Sequence, residues 1–223
     1  IALFGPPGSG KGTQSDKIVN KFNLFKVSSG DLLRKKINEE KKSSNKIKSK
    51  IDKGFLAPDE IINKLVENIV SDKRYSNKIV FDGYPRNITQ VKSLDLLLNK
   101  YNQKLSCVLS LKVDNEIIIK RILGRQTCSK CNAIFNQFFN PANDTNHSCG
   151  VNFLVKRADD NEEIIKSRLD IYYKETLPVL NYYKSQNLWS EIDGMNEINQ
   201  IYEEIEEFIL SLKAWLYKVY LYK

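Results

Sequence analysis

The stretch Gly5-Pro6-Pro7-Gly8-Ser9-Gly10-Lys11-Gly12-Thr13 constrains what this chain can fold into more than any other. It follows a short apolar run, Ile1 to Phe4, and precedes a segment whose apolar positions Ile18, Val19 and Phe22 share one helical face. A glycine-rich turn between a buried strand and a helix start points successive backbone N–H groups inward. The helix dipole favours the same charge, so the turn suits phosphate oxygens. Lys11 is expected to reach the outer phosphates of a bound polyphosphate, with Gly8, Ser9, Gly10, Gly12 and Thr13 around it. Gly12 stands where such loops usually carry Ser or Thr, so direct ligation of magnesium by a hydroxyl at that position is not expected.

The rest of the chain repeats the strand–helix theme. Leu24 to Val27 is a second apolar run, and Ser28-Ser29-Gly30-Asp31 caps a helix to about residue 40. A Lys-, Ser- and Asn-rich stretch at 41–50 reads as a solvated connection, and Pro58-Asp59-Glu60 opens another helix. Ile79 to Phe81 runs as a strand into Asp82-Gly83; Leu105 to Val113 is another strand, with a helix from Asp114 to about Leu123. From Gly124 to about Asp160 the periodicity gives way to Cys, Asn, Phe and turn residues. A long helix is then expected from Glu162 to about Lys184, a last strand over Leu188 to Ile192, and a final helix from about Glu197. The pattern predicts an α/β three-layer fold of the P-loop NTPase type with a central parallel sheet. Residues 1–27, 58–123 and 161–223 are expected to form its core, with 28–57 and 124–160 as insertions.

At 223 residues, with 41% hydrophobic and 28% charged residues, the chain is apolar enough for one domain with insertions and too apolar for disorder. It has no run of 18 apolar residues and no signal-peptide pattern, which argues against a membrane span. Its opening at Ile1 in mid-strand is what a sequence lacking its native start would show, and a cytoplasmic or mitochondrial location is expected. The net charge of +8 favours polyanionic partners, either nucleic acid or phosphorylated small molecules. Arginine is sparse: 28 of the 35 basic residues are lysine, and Arg occurs only at 34, 74, 86, 121, 125, 157 and 168. Positions that keep Arg in such a chain are those that need its bidentate fork.

GPPGSGKGTQ, followed by SSGDLLR at 28–34, FDGYPRNITQ at 81–90, GR at 124–125, RADD at 157–160 and Arg168, resembles the adenylate kinase family in its long-lid form. The match runs in order through nearly the whole chain. The resemblance implies a monomeric enzyme that moves the γ-phosphoryl group of ATP or GTP reversibly to AMP with magnesium, nucleotides rather than nucleic acid being its partners. Residues 28–57 would bind the monophosphate, and 124–160 would be the lid. Gly8 to Thr13, Arg121 and Arg125 would hold the donor. Ser29, Arg34, Gly83, Arg86, Gln90, Arg157 and Arg168 would hold AMP, with the backbone of Gly54, Phe55, Leu56 and Ala57 near its base. Lys11, Arg86, Arg121, Arg125, Arg157 and Arg168 would act on the transferring group. Six of the seven arginines fall on these positions, Arg74 being the exception. Asp82, at a strand end, suits magnesium or its waters, and Asp31 could assist.

Cys128-x-x-Cys131, His147 and Cys149 lie in the second insertion. Relatives with long lids often carry two Cys pairs there, and Cys149-Gly150 suits the last ligand. The third position departs from that pattern. His147 is read as that ligand, giving an S₃N zinc site, with Asp144 as the substitute and unmetallated thiols as the alternative. A redox CxxC is disfavoured because no thioredoxin-like helix start surrounds the pair, and Cys107 reads as a core residue. The tail from Phe208 to Lys223 either packs as a helix end or lies on a membrane surface. A rival reading, a basic zinc-knuckle nucleic-acid-binding protein with a vestigial phosphate loop, lacks clustered aromatics beside its basic residues and leaves the six arginines unexplained.

Overall fold

The computed structural model describes residues 1–39, 49–51 and 53–221, so most of the 41–50 connection and residues 222 and 223 lie outside the described residues. The main sheet joins β1 (Ala2–Phe4), β2 (Phe25–Ser28), β3 (Ile79–Asp82), β4 (Val108–Lys112) and β8 (Trp189–Asp193) in the order β2-β3-β1-β4-β8. Every pairing is parallel. Side chains alternate across a strand, so this sheet needs cover on both faces. Ala2, Phe4 and Phe81 look one way, with Ile62, Val66 and Val70 of α3 (Asp59–Val70), Val91, Leu94 and Leu98 of α4 (Ile88–Lys100), and Leu180 of α7 (Leu177–Ser185). Leu3, Val80 and Ile192 look the other way, with Ile18 of α1 (Lys11–Phe22) and Ile201, Ile205 and Ile209 of α8 (Ile198–Leu221). Cys107 is buried in that second layer, as expected of a core residue. The expected α/β fold with a central parallel sheet is the one observed.

Helices α2 (Ser29–Glu39), α5 (Asn115–Leu123) and α6 (Glu162–Ile171) carry side chains toward the sheet's C-terminal end. Helix α4 has no counterpart among the elements expected from sequence. Its start is signalled by Asn87, whose side chain accepts the backbone N–H of Gln90. The single helix expected over 162–184 is two, joined by a π-turn at Tyr172–Thr176. Pro178, in the first turn of α7, has no N–H to give to the preceding turn, and the chain widens there. Residues 124–160 form a small antiparallel sheet of β5 (Arg125–Cys128), β6 (Ile134–Asn136) and β7 (Leu154–Val155), in the order β6-β5-β7. Such short strands show no alternation to a sequence reading. Helix α8 reaches Leu221, and Phe208 and Leu212 pack on the core, which favours the packing reading of the tail as far as Leu212. Among the described residues no helix is long and apolar enough to cross a membrane.

Candidate active site

The loop after β1 delivers the chain to α1 through Gly10, whose φ of 98° lies in the region only glycine occupies freely. Helix α1 begins at Lys11, so its first N–H groups and its dipole face the loop's concavity. Lys11 Nζ donates to the carbonyls of Gly5 at 2.7 Å and Pro6 at 2.9 Å. Burial lowers the Lys11 pKa to about 7; Asp82 opposes that shift, and Arg86, Arg168 and Arg125 reinforce it. A Cβ on Gly12 would sit 3.7 Å from Asp82 Oδ2, so the carboxylate stands beside the loop at this position. Burial also raises the Asp82 pKa, against the pull of Lys11 and Lys26.

The loop opens into a cavity of about 690 Å³ at the C-terminal ends of β1, β2 and β3, the usual ligand position in an open parallel sheet. Arg34, Arg86, Arg121, Arg125, Arg157 and Arg168 all line it, together with Gly8 to Thr13, Asp31, Gly54, Leu56, Asp82 and Gly83. Arg74 does not; it pairs with Asp72 on the surface. Two of the arginines are held from behind. Arg125 forms an ion pair with Asp160, whose side chain is 1% exposed, and Arg168 donates to Asp159 at 2.8 Å. Among the described residues Arg157 has no carboxylate within 4.0 Å. Burial brings the Arg157 pKa down to about 10, helped by Arg125, and that of Arg86 to about 10, helped by Arg168. Such crowding of cations suits a multiply charged anion. Asp31 is engaged by Arg34.

Next to the cavity, Ser29, Leu33, Leu56, Ala57, Ile62, Arg86 and Gln90 line a second, narrow recess. Arg86 Nε donates to the Gly83 carbonyl at 2.7 Å and its Nη2 to Ser29 Oγ at 3.2 Å. Thr176, in the π-turn, gives its hydroxyl to the Arg86 carbonyl at 2.8 Å. Gly54, at φ 84°, passes so close to α6 that a Cβ there would lie 3.0 Å from Arg168 Cγ. The Phe55 side chain is exposed and lines neither space, which leaves its backbone as the part expected near the acceptor base.

At the cavity's other end the Arg121 guanidinium donates to the Gly194 carbonyl at 2.9 Å and lies 5.7 Å from the Phe139 ring. Phe138, Phe139, Ile134 and Met195 join it in the lining, giving a flat apolar shelf with one cation, suited to a nucleobase. None of these four was singled out from sequence. Their signal was a pair of aromatics in an otherwise polar loop, one of them, Phe138, 61% exposed.

At the end of β5 and in the loops beside the small sheet, Cys128, Cys131, His147 and Cys149 converge, their ligand atoms all within 4.8 Å of one another. His147 is buried against Phe135, with Nε2 3.8 Å from Cys131 Sγ and Nδ1 without a partner among the described residues. Burial works against ionisation of Cys128. The backbone N–H groups of Cys131 and Lys130, with the His147 and Cys131 side chains, overcome it and hold the thiol below its usual range. Three sulfurs and one imidazole around a common point form a donor set suited to tetrahedral zinc. Asp144, the substitute ligand, is exposed and outside the cluster.

Comparison with known proteins matches residues 3–188 to the family model described as adenylate kinase. An adenylate kinase of Pelagibacter ubique is 45% identical over 94% of this chain and 98% of its own length. Those of Methanosarcina barkeri and Fusobacterium nucleatum are 39% and 40% identical over 92% of the chain, and 96% and 95% of their own lengths.

Proposed function

The chain belongs to the adenylate kinase family, and we propose that it transfers the γ-phosphoryl group of ATP or GTP reversibly to AMP. The observation that carries this reading is the convergence of Lys11 and six arginines on one cavity between a nucleobase shelf and a second recess. Phosphoryl transfer asks for alignment and charge stabilisation, not for a nucleophilic side chain. The phosphate loop and Lys11 would grip the donor's outer phosphates, Arg121 and its shelf the donor base, and Arg34 and Arg86 the acceptor phosphate. Arg125, Arg157 and Arg168 would face the charge that spreads over the equatorial oxygens in the transition state. The carboxylates behind Arg125 and Arg168 hold their forks in position before substrate arrives, so little reorganisation is left for the chemical step. Closure of 28–57 and 124–160 over the cavity would exclude water and prevent hydrolysis.

Asp82, with Asp31 nearby, would hold magnesium directly or through its waters. Magnesium, when bound, supplies charge neutralisation across the donor's outer phosphates. Cys128, Cys131, His147 and Cys149 would hold a structural zinc, supported by their shared focus and their chemistry. The nucleic-acid alternative leaves both the family match and the arginines facing a single cavity unexplained. A coupled assay with AMP and each triphosphate, run beside a salt-dependent oligonucleotide titration, tests the proposal. AMP-dependent turnover supports it; tight oligonucleotide binding without turnover overturns it.

A further inference from the structure

A carboxylate that lines neither space fixes the orientation of the one neutral amide in the recess. Gln90 is 2% exposed, and its amide is gripped at both ends. Oε1 accepts the backbone N–H of Arg86 at 2.8 Å, and Nε2 donates to Asp59 Oδ1 at 2.7 Å. Asp59 is held in turn by Asn87 Nδ2, at 3.1 and 3.2 Å from its two oxygens, and stands in the first turn of α3, where the helix dipole favours a negative charge. Rotating the Gln90 amide by 180° would set oxygen against carboxylate and N–H against N–H, so one orientation is allowed.

We propose that Asp59 is a positioning residue for base selection at the acceptor site: by locking the Gln90 amide it makes the recess accept a 6-aminopurine monophosphate and reject a 6-oxopurine. The inference rests on the kinase reading and deepens it. A glutamine amide offers two lone pairs and two N–H groups. With one of each taken, Gln90 keeps one acceptor and one donor for a ligand. The recess itself holds only about 20 Å³ but shares Leu56 and Arg86 with the main cavity, and its apolar residues, Leu33, Leu56, Ala57 and Ile62, offer a face to a purine seated at that junction. The edge of adenine presents an amino donor beside a ring-nitrogen acceptor, which the locked amide pairs directly. A 6-oxopurine presents the reverse, an oxygen acceptor beside an N–H donor. A free amide would turn over to meet it; the locked one leaves two buried mismatches.

AMP and IMP differ at that edge alone, so they are the probes. The kcat/KM values for both, with a fixed saturating triphosphate, are measured for wild type and for Asp59→Ser, which keeps a residue favourable at a helix start but too short to reach Gln90. Asp59→Ala is the second variant, and thermal melts check folding. Loss of one charge-assisted hydrogen bond corresponds to roughly tenfold to hundredfold in the AMP:IMP ratio. The fall should come from a higher KM for AMP and a lower KM for IMP, and Asp59→Asn, whose side-chain oxygen still accepts from Nε2, should restore most of it. Equal losses with AMP and IMP would mark Asp59 as merely structural and overturn the inference. Wild type that uses AMP and IMP equally well overturns the inference but leaves the kinase reading. Wild type that phosphorylates neither overturns the kinase reading itself.

Discussion

Asp160→Ala should destabilise the nucleotide-free protein far more than most single substitutions, and bound polyphosphate should reverse much of the loss. The Asp160 side chain is 1% exposed and its partner Arg125 is 14% exposed. Neither group regains water when the other is removed. Breaking a buried pair from one side costs about 3–5 kcal/mol, because it leaves an uncompensated charge. Here the orphaned guanidinium also faces Arg157 and Arg168, whose pKa values are lowered first by burial and further by Arg125. For a chain of this size, 3–5 kcal/mol corresponds to a melting-temperature drop of about 6–20 °C. Tripolyphosphate, which offers Arg125 a replacement anion, should raise the melting temperature of the variant more than that of wild type. Differential scanning fluorimetry with and without tripolyphosphate measures both effects. Asp159→Ala should cost less, since Arg168 and Asp159 are 21% and 19% exposed. A ligand-free Asp160→Ala protein melting within about 2 °C of wild type would refute the claim that the cluster is electrostatically strained.

Lys11→Met should keep the fold and lower turnover by about 10²–10³-fold, since it deletes a charge aimed at the phosphates; stopped-flow or coupled kinetics reads this, and near-normal turnover removes Lys11 from the mechanism. The same variant tests the Lys11 pKa. With a folded value of about 7 against an ordinary value of 10.5, the unfolded chain binds more protons between those limits. The burial penalty of Lys11 is therefore fully present below pH 7 and relieved as pH rises to 10.5, so wild type should gain stability relative to Lys11→Met over that window in pH-dependent urea melts. Arg86→Lys should raise the KM for AMP several-fold despite keeping its charge, because the fork that spans Gly83 and Ser29 is lost; an unchanged KM counts against Arg86 as an acceptor ligand. Elemental analysis should find about one zinc per chain, and chelation should loosen 124–160 in hydrogen exchange while sparing the phosphate loop. His147→Ala should lose that zinc or bind it far more weakly; unchanged zinc content would place the third ligand elsewhere.

The phosphate loop was legible because its chemistry is local: glycines, lysine and helix start are contiguous in sequence. The arginines were legible for a different reason, their scarcity in a lysine-rich chain together with the motifs around them. What escaped was assembled from distant pieces. The nucleobase shelf joins Phe138 and Phe139 to Met195, more than fifty residues later, and no periodicity links them. The π-turn at Tyr172–Thr176 follows from Pro178, yet its use, seating Thr176 on the Arg86 carbonyl, depends on a residue 90 positions away. Helix α4 carries its own signals, Asn87 and the 91/94/98 spacing, but its start overlaps the motif ending in Gln90, which masks it. Around Phe55 the neighbours Gly54 and Leu56 reach the cavity while its own ring turns to solvent, as alternation along an extended segment requires.

The order β2-β3-β1-β4-β8 puts the earliest strand of the chain at the centre of the sheet. Ala2 pairs with Phe81 on one side and Val108 on the other, partners 79 and 106 residues further along. During synthesis at about 5–20 residues per second, β1 therefore waits on the order of five to twenty seconds before its second edge can be satisfied. Throughout that interval the apolar strand Ala2, Leu3 and Phe4 keeps at least one edge unpaired, the kind of segment that chaperones recognise and that seeds aggregation. The phosphate loop hangs from the end of this strand and cannot take its shape sooner. Nascent chains stalled before Val108 should accordingly be protease-sensitive at the loop, and the capacity to bind nucleotide should emerge late and in one step.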